Sequence, residues 1–313
     1  MLARIAHELF WLGRNVARAE ATARMLDGIF SADLQGRPDD PGLRLTWRSV
    51  LRIMSAEQPA QVDRDSVLRA LTLDVDNPAS VVACIGRARE GARTVRDVIS
   101  AEMWEAINTT NLTLLEGDLS ARLRKGPYSV YGYVRERSAL FWGLTNRTML
   151  RDEASAFLQA GGRMESADMV LRMLRVALPQ PGDDISWRDG QALALLQATG
   201  GFQAFSRSVP GAPDALPVAR FLLFERAYPD SVASAVHAVH VALERADHAP
   251  SRSEPVLRLS RLVADLEFKQ RTSGQDADLA RLCEEVQSEL ALADHDIADR
   301  YFAGAVAPGI AIT

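Results

Sequence analysis

LARIAHELFWLGRNVARAEATARMLDGIF, residues 2–30, decides the fold. Leu2, Ile5, Leu9, Leu12, Val16, Ala19, Ala23, Leu26 and Phe30 recur along it at spacings of three and four, which makes one buried helical stripe. A second line, Gly13, Ala17, Glu20 and Arg24, runs beside the stripe at i, i+4, i+7 and i+11. Small residues on that line let another backbone approach closely, in register with an acid and a base. Gly28 is the expected breaker, ending the helix near 27–29.

The same periodicity continues outward from this helix. Further helices are expected over 47–54, from 65 or 66 to 73, and from Pro78, with Asn77 as N-cap, unbroken to Leu115. That last element would be over about 40 Å long at about 1.5 Å per residue. After the break at 126–128 come helices at 130–144, from 147 or 152 to 178, 187–198, 202–209, 218–227, 229–247, 256–270 and 276–302. Gly- and Pro-bearing stretches at 35–42, 179–184, 210–217 and 249–255 read as loops, and 303–313 as a short apolar tail. No stretch alternates with period two, so the fold is all-α.

Composition narrows the function classes. At 313 residues, 47% hydrophobic and 25% charged, the chain can build a large core. A net charge of −5 argues against nucleic acid as a partner, and no apolar run is long enough for a membrane span. The N-terminus enters an amphipathic helix rather than a leader, which points to the cytoplasm. Cys84 and Cys283 sit in helical patterns far apart and are expected to be buried free thiols.

Two halves of the chain repeat in order. Leu12-Gly13 through Leu26 aligns with Ala160-Gly161 through Leu174, so that Ala19 meets Ala167, Glu20 meets Asp168 and Arg24 meets Arg172. Trp47-Arg48 has its counterpart in Trp187-Arg188, and DVDNPASV (74–81) in ERAYPDSV (225–232). A helical bundle of two duplicated multi-helix halves, 1–145 and 146–313, packed about a pseudo-twofold axis, is the expected architecture. Arg89, Arg93 and Arg96 share one helix face, and their counterparts are His240, Glu244 and Asp247. A basic stripe in one half would then meet an acidic-to-neutral stripe in the other.

AHELFWLGR…RAEATARML (6–26), NPASVVACIGRAREGARTVRDVISAEMWEAIN (77–108), RSALFWGLTNRTMLRDEA (137–154) and HDIADRYF (295–302) together resemble the bacterial alpha-E domain family. The resemblance covers essentially the whole chain. It implies an all-helical protein of undefined activity, often encoded beside or fused to a circularly permuted ATP-grasp ligase, with a transglutaminase-like protein nearby. The implied setting is the making or modifying of a peptide. The family's Glu-Arg dipeptide falls on Ala17-Arg18 in the first half and on Glu165-Ser166 in the second, so one copy lacks the acid and the other the base. An acid from one half working with the base of the other would leave Arg18 and Glu165 as one unit.

Candidate binding residues follow from charge at helical spacing. Arg89, Glu90, Arg93, Arg96 and Glu102, with Arg147, could hold a phosphate or a carboxylate-rich peptide, because guanidinium forks bind such groups bidentately. The competing interpretation is a salt-bridge network between helices. Glu102 is placed on an apolar side with Val95, Val98 and Ile99, and so is expected to have a partner. Glu20–Arg24 and Asp168–Arg172 are i,i+4 pairs, and with Arg18 and Glu165 they complete the candidate set. His237, His240, Glu244 and His248 share one helix, but no second Glu-x-x-His faces them, so no metal and no cofactor is expected. Gly161-Gly162 follows no strand and is no phosphate loop, and no nucleophile elbow is present. Three functions fit: an accessory or binding protein whose partner is an ATP-grasp-type ligase, a peptide or both; an enzyme with a Glu/Arg-lined groove for a carboxylate or phosphate substrate; or a structural oligomer.

Overall fold

The computed structural model describes residues 1–34, 46–178, 189–272 and 278–305. The expected loops at 35–42 and 179–184, the Trp187-Arg188 landmark, the start of the last helix at 276 and the tail beyond 305 lie outside the described residues. Every regular element among those described is helical. In chain order they are α1 (Ala3–Leu34), α2 (Trp47–Ile53), α3 (Arg64–Thr72), α4 (Val81–Thr94), α5 (Ala101–Leu115), α6 (Leu119–Lys125) and α7 (Pro127–Thr148), followed by α8 (Glu153–Ala177), α9 (Asp189–Thr199), α10 (Phe202–Ser208), α11 (Ala215–Phe224), α12 (Val232–Ala246), α13 (Glu254–Thr272) and α14 (Leu279–Tyr301). No helix among the described residues is long and apolar enough to cross a membrane.

The centre of the molecule is the crossing of α1 with α8. Helix α1 packs on α4 and α7, α4 packs on α5, and α5 returns to α7. The same order recurs around the other long helix: α8 packs on α12 and α14, α12 on α13, and α13 on α14. The turns that lead into α4 and α12 use the same bonds. Ser80 and Ser231 cap their helices by accepting from the backbone N–H of Ala83 and of Ser234, each at 3.1 Å. Their hydroxyls donate back six residues, to the carbonyls of Asp74 and Glu225.

Several helix boundaries differ from the sequence reading: α6 was not expected, α7 starts at Pro127 inside the expected break and runs to Thr148, α11 starts at Ala215 inside the expected loop, and three further differences have a visible cause. Gly28 does not end α1, which runs 32 residues to Leu34. A Cβ there would meet the Ala198 backbone of α9 at 3.8 Å, so the position seats a neighbour rather than a stop. The expected helix from Pro78 to Leu115 is two helices that part at Val95, and the N-cap of the first is Ser80, not Asn77. Ser100 caps the second by accepting from Met103 N–H. Val95 and Ile99 stay buried through the turn, so the apolar period runs on where the helix does not.

Candidate functional site

Glycines let α1 and α8 touch backbone to backbone. A Cβ on Gly13 would collide with the Leu158 carbonyl, and a Cβ on Gly161 with the Phe10 carbonyl. The two contacts are reciprocal, each glycine meeting the carbonyl three residues before the other. Helices this close bring the side chains one turn along from the glycines into the same small space.

On one side of the crossing that space is filled with charge. Arg18 donates to Glu165 twice, from Nε to Oε1 at 2.5 Å and from Nη2 to Oε2 at 2.9 Å. Arg14 donates Nε to Oε2 of the same carboxylate at 3.0 Å, and its Nη1 reaches both oxygens of Asp294 at 2.9 Å. The Arg14 guanidinium also lies 4.9 Å from the Trp11 ring centre. Glu165 is 1% exposed. Burial alone pushes its carboxyl up, but the Arg18 and Arg14 charges override that and hold it at about 2. Burial likewise opposes the charge on both arginines, and the facing carboxylates raise them nonetheless. Glu165 is therefore a permanent anion sealed under two permanent cations. Beside it, burial pushes the Cys84 thiol up to about 11, and both cysteines are free and buried.

The other side of the crossing is open. A pocket of about 290 Å³ lies between α1, α7 and α8, closed by the end of α9 and the turn at Pro229 and Asp230. Ala21, Met169, Val170 and Met173 form its apolar part, and Trp142 of α7 stands at its edge. Two ion pairs line it. Arg24 donates Nε and Nη2 to Glu20 Oε1 at 3.0 and 2.7 Å. Arg163 donates Nη1 to Asp230 Oδ1 at 3.2 Å and to the Pro229 carbonyl at 3.1 Å. Burial pushes the Glu20 carboxyl up against the pull of Arg24, and Asp230 adds to the rise. Tyr228 closes the α9 end by donating to the Thr199 carbonyl at 2.7 Å.

A family model, Alpha-E, described as a predicted alpha-helical domain with a conserved ER motif, matches residues 1–302. The chain belongs to the Alpha-E family. No curated protein and no solved structure matches it. In this Alpha-E chain, positions 17–18 and 165–166 face one another across the helix crossing. Arg18 and Glu165 make the sealed pair, and Ala17 and Ser166 line the pocket.

The remaining candidates lie elsewhere. Arg172 pairs with Asp168 at 2.7 Å, and Gln287 of α14 donates to Asp168 at 2.8 Å, which ties α8 to the C-terminal helix. Arg89 donates to Asn108 at 2.8 Å and to Glu90 at 2.5 Å, and Arg93 donates to Glu90 at 2.9 Å. Arg89 and Arg96 lie 5.7 and 5.0 Å from the Trp104 ring centre. This cluster sits on the outer surface of α4 and α5, with Arg93 and Glu90 more than half exposed, and no ion pair joins it to Glu165. Arg147 is exposed on the last turn of α7.

Two expectations fail. Glu102 has no apolar face and no partner among the described residues: it is exposed in the first turn of α5, because the chain breaks before Ser100 and Val98 and Ile99 do not set its face. The stripes of Arg89, Arg93 and Arg96 and of His240, Glu244 and Asp247 do not meet. Helices α4 and α12 pack on opposite partners, α1 and α8, and Asp247 is taken by Arg300 at 2.6 and 2.9 Å. Among the described residues no three His, Cys, Asp or Glu side chains converge as a metal site would require.

Several site residues were not singled out from the sequence: Arg14 and Asp294 in the sealed network, and Arg163 and Asp230 at the pocket. Arg14 carried a usable signal, since it precedes Arg18 by four and so shares its helix face. Asp294 adjoins the motif HDIADRYF, whose own residues serve to hold α14. Asp296 accepts from Arg258 at 2.6 Å, Arg300 and Tyr301 both bind Asp247, and Phe302 packs 5.4 Å from the Phe10 ring.

Proposed function

We propose that the chain is a binding component of a peptide ligation or modification system, acting beside an ATP-grasp-type ligase, and that a peptide segment enters the pocket between α1, α7 and α8. One observation carries this reading: the charge between the two long helices is sealed at Glu165, while the pocket across the crossing is lined by groups that are already paired, Glu20 with Arg24 and Arg163 with Asp230. A carboxylate held at about 2 and shut from solvent cannot exchange protons with a substrate near neutral pH, so Glu165 pins the helices. The apolar floor with convergent polar groups is the ordinary form of a ligand site. The ligase as partner follows from the genomic company that the family resemblance implies.

The test is co-purification of the full chain with the neighbouring ATP-grasp-type ligase, with ligase turnover measured in its presence and absence. A complex at micromolar concentration with altered turnover is expected. Absence of both sinks the partner half of the reading.

A second reading is favoured by Glu20, a carboxyl pushed up by burial beside an open pocket, as a general acid or base would need. As an enzyme, the chain would use Glu20 for proton transfer to a carboxylate or phosphate substrate and Arg24 to hold its charge. A Glu20→Gln variant that leaves peptide-forming turnover intact in the reconstituted system discards it.

A further inference from the structure

The sealed network and the pocket occupy corresponding places. Under the alignment that sets Gly13 on Gly161, Arg14 corresponds to Gly162, Arg18 to Ser166 and Glu165 to Ala17. The reciprocal glycine contacts obey the same register. Each of the three charged side chains that fill one side of the crossing is thus matched by a small residue on the other, and all three small residues line the pocket. The cavity is the space of a missing carboxylate and guanidinium. Trp142 takes up part of it, packing where Gly162 has no side chain.

We infer that this pocket binds a small zwitterion: an ammonium and a carboxylate a few bonds apart on an apolar substituent, as in a free amino acid or a short unblocked peptide. The proposal rests on the binding reading above and names the ligand class. Such a molecule restores the two opposite charges that the crossing lacks on this side. The walls carry the complements. Glu20 takes both of its bonds at Oε1, and Arg163 and Asp230 share a single bond, so each pair keeps acceptor and donor atoms for a second partner. Two acids and two bases line the pocket, a balance that recognises a dipolar ligand and disfavours one with net charge. A volume of about 290 Å³ suits one or two residues rather than a folded segment.

The experiment is calorimetric titration of the full chain with leucine, alanyl-leucine and leucyl-leucine, each also as its N-acetyl and C-amide derivative. The unblocked compounds are expected to bind and either block to weaken binding about tenfold, since a wall charge then loses its partner. The double variant Ala17→Glu/Ser166→Arg rebuilds the missing pair inside the pocket. It is expected to keep the wild-type melting temperature or raise it, and to lose binding. Should that variant fail to fold, Glu20→Gln/Asp230→Asn leaves the space and removes the acids, and loses ammonium recognition with N-acetyl compounds unaffected. Blocked and unblocked peptides binding equally overturns the zwitterion and leaves a peptide pocket standing. No binding by any compound at millimolar concentration overturns the pocket reading as well. Unchanged binding to the folded double variant places the ligand elsewhere and overturns both.

Discussion

The two sides of the α1–α8 crossing are built from the same backbone geometry and have opposite electrostatics. On one side Glu165 is locked below the usual carboxylate range by Arg18 and Arg14; on the other Glu20 is raised by burial although Arg24 holds it. The difference lies in stoichiometry and access. Two guanidiniums on one carboxylate, with Asp294 behind them, outweigh desolvation, whereas a single guanidinium does not. One crossing is therefore a charged rivet on one side and an open pocket on the other, with three side chains making the difference.

The rivet side should give the largest effect. Glu165→Ala removes the shared anion and leaves Arg14 and Arg18 buried against each other. A loss of about 3–5 kcal/mol is expected in urea unfolding. A loss below about 1 kcal/mol would mean that water or Asp294 takes over, and that the network is not a lock.

Acid should separate the two sides by sign. Glu165 has a folded value below its unfolded one, so its contribution is complete above the ordinary carboxylate range and disappears as pH falls through about 2. A drop from 4.5 to about 2 corresponds to about 3 kcal/mol. Glu20 has a folded value above its unfolded one, so it favours the folded state below the ordinary range, and that advantage is lost as pH rises through its raised value. Unfolding free energy measured from neutral to acid pH should fall less steeply in Glu165→Gln than in wild type. It should fall more steeply in Glu20→Gln, which removes the opposing trend. Parallel curves for all three proteins would contradict the assignment.

Much of this was legible in the sequence, and the gaps have physical causes. Periodicity located the helices because burial repeats with the helix, but it carried the reading straight through 95–100, where Val95 and Ile99 stay buried while a serine cap restarts the chain. The Arg18–Glu165 contact was reachable only by laying one half on the other and asking where an unmatched acid could find a base. Asp294 lay beyond that method, since 280 residues separate it from Arg14 and only the return of α14 to α1 joins them. The pocket was hidden for a different reason. Gly13, Ala17, Gly161 and Gly162 all read as small, and small residues mark a tight contact and a void alike. Which one results depends on what the neighbouring helix brings.

That ambiguity can be resolved by adding a methyl group at adjacent positions. Gly161→Ala drives a Cβ into the Phe10 backbone, and two long helices would have to part, at about 3 kcal/mol. Gly162→Ala first meets the indole of Trp142, a side chain that borders the pocket and can turn toward it, so about 1 kcal/mol is expected. Equal losses in thermal unfolding would mean that Trp142 is as fixed as backbone and that the open side is not soft.

The smallest effect belongs to the surface cluster, and its smallness is informative. Arg93 is 62% exposed and pairs with Glu90, itself 53% exposed. Water already solvates both charges, so the pair gains little in energy and pays side-chain entropy to form. Arg93→Glu should change unfolding free energy by less than about 0.5 kcal/mol and leave ligand binding at the pocket untouched. It does reverse one charge in the cluster of Arg89, Arg93 and Arg96, which would matter only if an acidic partner docks there. A charge reversal that costs no stability yet abolishes ligase co-purification would move the partner surface to α4 and α5, away from the crossing. Retained co-purification would show that the partner does not depend on the charge of the α4–α5 cluster.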